Sequence, residues 1–397
     1  MLLPFYEEKL ESIDRGLCHE LTLGVLRKKL YLDRLIQILT SGKKIDSAIQ
    51  IILRIALYQL IFLDKIPAHA AINDAVNLTQ KAKKTSAKGF VNAVLRRFTR
   101  EKIVPGFIDE VDKLSIENSH PRWLIEKWIA DFGFEETAGL AAANNETPAL
   151  SFRFTAKSSD AIKNSLESLN LEEEKKYLRE LSENGKIYFQ DEGSQIVGSA
   201  VELKNEESFL DVCAAPGSKA TQIGNSRFKI QNSKLFVAGD LHWNRVKILQ
   251  ETCRKQGVVG VDILQYDAEK ALPFADESFD VVLLDAPCTG TGTIRHNPEI
   301  RYFLEEKDFR ELSIKQLEIL RNASKLVKRG GRIIYSTCSL EKEENEEVVS
   351  KFASESADFR LIKPNVPEKF LTAEGFARTF PQRDKMDGFF IAVFEKF

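Results

Sequence analysis

The chain is poor in the residues that usually announce a site, and each scarcity excludes something. Its 397 residues hold five cysteines and five histidines. Cys18, Cys213, Cys253, Cys288 and Cys338 are widely spaced, and His19, His69, His120, His242 and His296 are scattered among them. No pair has metal-ligand spacing, so no metal is expected. A sparse, odd set of thiols also argues against a disulfide framework and fits the reducing cytoplasm. No signal peptide is visible in the opening residues, so none is expected. The longest apolar stretch, Ile49–Leu63, is interrupted by Gln50, Arg54 and Gln59. It therefore reads as a buried helix and not a membrane span. Lys and Arg total 57 against 59 for Asp and Glu, so overall charge names no partner. No dinucleotide GxGxxG is present, and the stretch ending Gly217-Ser218-Lys219 lacks the earlier glycine of a Walker loop.

What is present is an ordinary hydrophobic share of 43%, enough for about two to three domains. Up to residue 115 the apolar residues recur at helical spacing, as in Leu32-Leu35-Ile36-Leu39 and Ile49-Ile52-Leu53-Ala56-Leu57-Leu60. Further helices are expected from Asn73-Asp74 and over Phe90–Phe98, giving an all-α domain. Residues 116–192 read as a small α+β module. A helix starts at Pro121-Arg122-Trp123 and ends near Asn144-Asn145, and Leu150–Phe154 alternates like a strand. A helix over Asp160–Leu169, a charged run over Glu172–Lys176 and a strand at Ile187-Tyr188-Phe189 follow. From 193 to 397 strands and helices alternate. Strands are expected over Ser208–Val212, Leu235–Ala238, Val261–Leu264, Phe279–Leu284, Arg332–Ser336 and Phe389–Phe394. Helices are expected over Ala220–Gly224, His242–Lys255, Lys307–Val327 and Lys342–Ala353. That alternation predicts a doubly wound, mostly parallel α/β sheet.

Chemistry-bearing residues gather at the predicted strand ends. Asp211-Val212-Cys213-Ala214-Ala215-Pro216-Gly217-Ser218-Lys219 closes the first strand with small residues, which let backbone approach a ligand. An acid follows each of the next two strands, Asp240 and Asp267. Singly these read as loop carboxylates; together, after a tight turn, they suggest a nucleoside cofactor, Asp240 at ribose hydroxyls and Asp267 at an adenine amino group. Asp285-Ala286-Pro287-Cys288-Thr289-Gly290 and Ser336-Thr337-Cys338-Ser339 follow two strands that should be neighbours. A lone cysteine is more often core than catalytic. Two at adjacent strand ends, flanked by Ser, Thr, Gly and Pro, suggest nucleophiles. Two such thiols suggest covalent chemistry on a ring that must first be activated, splitting one hard step into easier ones. On the residues alone, either cysteine could attack. Separately, residues 81–100 carry Lys81, Lys83, Lys84, Lys88, Arg96, Arg97 and Arg100 and no acid. This block is either a nucleic-acid footprint or a solvated helix face.

These motifs resemble the Nop/Sun/RsmB family of RNA cytosine-C5 methyltransferases over nearly the whole chain. The likeness is carried by Asp211–Lys219, Asp285–Arg295, Tyr335–Ser339 with Glu343-Glu344-Asn345, Asp387-Gly388-Phe389-Phe390, and Gln190-Asp191-Glu192-Gly193-Ser194-Gln195. The amino-terminal half resembles a NusB-like RNA-binding domain at Ala68–Val76 and Gly89–Arg96. One departure is Ser218, where the family usually has a second glycine. The resemblance implies a Rossmann-like S-adenosylmethionine-dependent methyltransferase domain (193–397) preceded by an all-α NusB-like domain (1–115) and a small α+β linker module (116–192). It implies Cys338 as nucleophile, Cys288 as the residue that assists release, Asp285 at the cytosine edge and Lys219 near cofactor or base. The cofactor would lie on Cys213, Ala214, Ala215, Pro216, Gly217, Ser218, Lys219, Asp240, Asp267 and Asp285. Its substrate would be RNA, with 16S ribosomal RNA the expected target and the cytosine single-stranded or flipped, and the chain would act as a monomer. Two rivals remain open: a DNA cytosine-C5 methyltransferase attacking through Cys288, and an RNA-binding assembly or antitermination factor with a vestigial catalytic half.

Overall fold

The computed structural model describes residues 6–7, 9–101, 103–155, 157, 171–227 and 235–397. The expected helix over Asp160–Leu169 lies outside them. The chain divides into two compact units: Met1–Glu146 with Asn297–Phe303, and Thr147–His296 with Leu304–Phe397.

The first unit is helical. Helices span Ser12–Arg27, Lys29–Leu39, Ser47–Phe62, Ala68–Lys81, Lys88–Arg100 and Glu110–Glu117. Asp46 and Asp109 start two of them by accepting hydrogen bonds from the first-turn amides of Ala48 and Asp112, the usual remedy for orphan N–H groups. The apolar stretch after Asp46 buries Ile49, Ile52, Leu53, Ala56 and Leu57 against Leu32, Leu35, Val91 and Leu95, as its spacing predicts. The helix expected from Asn73 begins earlier, at Ala68. The single helix expected from Pro121 is two, Arg122–Phe132 and Phe134–Ala143. Gly133 separates them at φ +85°, a conformation that glycine adopts without steric cost.

The second unit opens with strands β1 (Phe152–Phe154) and β2 (Ile187–Phe189), paired antiparallel. Between them lies the helix Leu171–Glu183, so the charged run is the start of a helix. Leu178 and Leu181 are its buried residues, packed on Ile187. The main sheet holds β3 (Phe209–Asp211), β4 (Phe236–Asp240), β5 (Asp262–Gln265), β6 (Phe279–Asp285), β7 (Val327–Thr337), β8 (Phe359–Ile362), β9 (Ala377–Arg378) and β10 (Phe390–Lys396). The order is β5-β4-β3-β6-β7-β10-β8, with β9 on β10. β5 through β7 pair in parallel, and β10 runs antiparallel to β7, β8 and β9. Period-2 alternation sends Val282 and Leu284 to one face and Val281 and Leu283 to the other. Both faces are covered, the first by Ile319, Leu320 and Phe352, the second by Val197, Ile223 and Leu249. The order reverses between β3 and β6, and α/β sheets bind ligands at such a reversal, beyond the strands' carboxyl ends.

Candidate active site

A cavity of about 380 Å³ opens at that reversal point. It is lined by Cys213 and Ala215 after β3, Asp240 at the end of β4, Asp267 after β5, Asp285 and Cys288 from β6, and Cys338 after β7. The fold thus gathers expected site residues as much as 125 positions apart (338 − 213). Ala214, Pro216, Gly217, Ser218 and Lys219 are not among its lining residues. Gly217 has φ +105°, and a Cβ there would press on Leu249 and Thr252 of the helix Trp243–Gln256. Its smallness serves helix packing. The Ser218 carbonyl is turned the other way, accepting from the buried Arg153 guanidinium, which also bonds Gln190, Thr221 and Gln256. Arg153 thereby fastens β1 to the helix Ser218–Arg227.

Lys219 reaches the site from below. Its ammonium is buried and donates to Asp285 Oδ2 at 2.7 Å, while Ser336 Oγ donates to Asp285 Oδ1 at 2.8 Å. Burial alone would lower the Lys219 pKa, but the charge and hydrogen bond of Asp285, aided by Cys338 and Asp211, overcome it and raise it. Lys219 is therefore a fixed cation beneath the cavity. Asp211 is buried under the same floor. Burial first, then the neighbouring Asp285 charge, pushes its carboxyl up to about 8, so it is a neutral acid at pH 7.

The two thiols face each other, Sγ to Sγ, at 3.2 Å. The Cys288 pKa is raised well above its ordinary value by the hydrogen bond to Cys338, then by burial, then by the charge of Cys338. Either sulfur can donate in this contact, and the raised value favours the protonated form of Cys288. The backbone around them is tightly knit. Gly292 N donates to the Cys338 carbonyl at 2.9 Å, and Gly388 N to the Gly292 carbonyl at 2.8 Å. A Cβ on Gly292 would collide with that Gly388 carbonyl, so the close approach requires glycine.

Three contributors carry no role that the sequence assigns. Arg245 donates to the Ala215 carbonyl at 2.6 Å and lies 3.5 Å from Asp240 Oδ2, pinning the first two strand ends together; nothing in its local sequence signals this. Asp211 is recognisable only as the last polar residue of a buried strand. Glu344 sits in the quoted Glu343-Glu344-Asn345 and bonds both thiol-bearing turns. The structure also groups Asp191, His296 and Asp387 within metal-ligand reach of one another. Arg295 already supplies the cation there, donating to Asp387 at 2.7 Å and Asp191 at 2.8 Å.

Comparison with known proteins agrees over the full length. A family model described as 16S rRNA methyltransferase RsmB/F matches residues 199–395, the NusB family matches 2–100, and an RsmF/B-like ferredoxin-like domain matches 120–206. A probable ribosomal RNA small subunit methyltransferase B of Bacillus subtilis is 34% identical over 98% of this chain and 92% of its own. The chain belongs to the ribosomal RNA small subunit methyltransferase B family. Its Escherichia coli K12 relative, ribosomal RNA small subunit methyltransferase B, is 30% identical over 98% of this chain and 92% of its own. The crystal structure of PH0851 superposes with a TM-score of 0.81 at 27% identity, covering 97% of this chain and 91% of that one. A NusB domain, a ferredoxin-like domain and a Rossmann-like methyltransferase domain therefore follow one another in this chain, and the activity of its family is methyl transfer to ribosomal RNA. Among the described residues no helix is long and apolar enough to cross a membrane.

Proposed function

We propose that this chain methylates C5 of a cytosine in 16S ribosomal RNA through a covalent bond between Cys338 and C6. The observation that carries the reading is the thiol pair at the cavity, Sγ to Sγ at 3.2 Å at the ends of two neighbouring strands. The donor set fits S-adenosylmethionine: Asp240, Asp267 and Asp285 offer carboxylates to a cationic, hydroxyl-bearing nucleoside, and Leu241, Pro287 and Ile319 offer apolar walls. An anionic phosphate ligand would meet four acids there, Glu269 being the fourth, and the cations Arg245 and Lys315 already lie against Asp240 and Glu269. When bound, that cofactor supplies an electrophilic methyl on a sulfonium sulfur.

The chain's own residues do the rest. Asp285, anchored by Lys219 and Ser336, hydrogen-bonds the cytosine edge. The Cys338 thiolate adds to C6, and the C5–C6 pair electrons move to C5. Bonding removes the thiolate charge that helps hold the Cys288 proton, so Cys288 becomes easier to ionise once the adduct exists. With the methyl on C5, Cys288 releases its proton to solvent, and the resulting thiolate takes the C5 proton. Those C–H electrons rebuild the C5–C6 double bond, and the Cys338–C6 bond breaks. The Thr337-Cys338 motif and the NusB domain disfavour a DNA-type attack by Cys288, and the raised Cys288 pKa accords with that.

A stacked base cannot present C6 to a thiol, so the target is a single-stranded or flipped cytosine. In this reading residues 1–115 bind RNA, 116–192 link, and 193–397 catalyse. On the helical unit, His69, Asn73, Lys88, Asn92 and Arg96 line a groove between the helices Ala68–Lys81 and Lys88–Arg100. The groove supplies cations and neutral donors for phosphate and ribose hydroxyls. Lys84 and Arg97 are paired with Asp46 and Glu101, which favours Lys88 and Arg96 as the RNA contacts. The test is methyl transfer to 16S ribosomal RNA with the product base identified. 5-Methylcytosine is expected; methyl on another base or another atom would overturn the reading.

A further inference from the structure

We propose that Glu344 is a positioning residue that clamps the turn after β6 to the turn after β7 and so sets Cys288 against Cys338 for product release. The proposal rests on the covalent reading above and names what maintains its geometry. Glu344 is fully buried and does not line the cavity. Four donors converge on its carboxylate. Oε1 accepts from Thr289 N at 2.9 Å and from Gln316 Nε2 at 2.9 Å. Oε2 accepts from Thr289 Oγ1 and from Ser339 Oγ. Thr289 follows Cys288 in the chain, and Ser339 follows Cys338. One carboxylate therefore grips the residue immediately after each thiol. Gln316 extends the grip to the residue before Cys288, donating also to the Pro287 carbonyl at 2.9 Å. From behind, the Tyr335 hydroxyl donates to the Glu344 carbonyl at 2.6 Å.

All four donors are neutral groups, and burial raises the Glu344 carboxyl above its ordinary range. A buried carboxylate is costly to hold, and neutral donors offset that cost less than a cation would. Such an arrangement suits a place where two backbone segments must be kept in one register. A carboxylate does this with acceptors alone. Glutamine at the same place would turn its NH2 toward two of these donors and lose their bonds. Asp240 and Asp267 stand on other strands, so loosening the clamp should spare cofactor binding.

The test uses the full chain with S-adenosylmethionine and a 16S ribosomal RNA transcript. It compares wild type, Glu344→Gln, Cys288→Ala and their double variant in cofactor affinity, turnover and denaturation-resistant RNA adduct. Glu344→Gln should lower turnover by about 10- to 100-fold, the cost of thiols misplaced by a fraction of an ångström to an ångström. It should accumulate adduct as Cys288→Ala does, with cofactor affinity held. In the Cys288→Ala background it should cost less than about twofold more, because both act on one step. Wild-type turnover and adduct in Glu344→Gln, or losses that multiply in the double variant, would overturn the proposal. If Glu344→Gln loses cofactor affinity, Thr289→Val and Thr289→Ser decide. Valine removes the hydroxyl donor and should build up adduct, serine keeps it and should build up less, and equal behaviour overturns the clamp. If Cys288→Ala itself builds up no adduct, the two-thiol reading has failed and the proposal falls with it.

Discussion

Cys288 lies three residues beyond β6 and Cys338 one residue beyond β7, on neighbouring parallel strands, and their sulfurs meet at 3.2 Å. By position they are near equivalents. Their surroundings are not. The turn after β6 holds Cys288 in hydrogen bonds on both sides, through Pro287 and Thr289, and its thiol is kept protonated by Cys338 and by burial. The turn after β7 places Cys338 where its charge is felt by the buried Lys219 ammonium. The difference teaches that strand topology delivers a pair of thiols, whereas the charges around them set the two apart.

The largest expected effect follows from removing the proposed attacker. Cys338→Ala should lower methyl transfer by about 10⁴-fold or more, as loss of a covalent nucleophile does, while cofactor binding persists; residual turnover near wild type would make the two turns interchangeable after all. Lys219→Met should cost about 10²-fold, the usual loss on removing one fixed charge from a site. Turnover near wild type would mean that the two turns do not differ through Lys219.

A smaller effect concerns stability. Asp211 holds its proton up to about 8 in the folded chain, against about 3.9 when unfolded. Its contribution is therefore full below the unfolded value and is lost as pH rises toward 8, at no more than about 1.4 kcal/mol per pH unit. Asp211→Asn lacks that loss. Its melting-temperature advantage over wild type should grow between pH 5 and pH 8 and then level off; a constant difference would show Asp211 ionised throughout. The smallest effect lies outside the thiol turns. Charge reversal at Lys88 and Arg96 should weaken RNA binding and reduce the salt slope by roughly 0.7 for each phosphate no longer neutralised, with chemistry on bound RNA unaltered. An unchanged slope would place the RNA elsewhere.

Much of this is legible in the sequence, and the misses have physical causes. β3, β4, β6 and β10 announce themselves as short apolar runs because a sheet covered on both faces needs them. Asp240, Asp267, Asp285 and both thiols are readable because parallel strands deliver their ends to one edge. The helix Leu171–Glu183 is hidden because Leu178 and Leu181, its buried residues among those described, stand in a run rich in charged ones. β7 reads too short because Gly330-Gly331 mimics a turn. The strand instead shifts register there against β6, and a Cβ on Gly331 would strike the Asp280 carbonyl. Arg153 and Arg245 bond residues 30 to 103 positions distant (245 − 215 at the near end, 256 − 153 at the far), and Glu344 ties Ser339, 5 positions away, to Thr289, 55 away. No local pattern encodes such distances.

The most direct test of the asymmetry is the covalent RNA adduct itself, measured after denaturation for wild type, Cys288→Ala and Cys338→Ala incubated with S-adenosylmethionine and 16S ribosomal RNA. The account predicts a stable adduct in Cys288→Ala and none in Cys338→Ala. An adduct in Cys338→Ala that is absent from Cys288→Ala would contradict it and exchange the roles of the two turns.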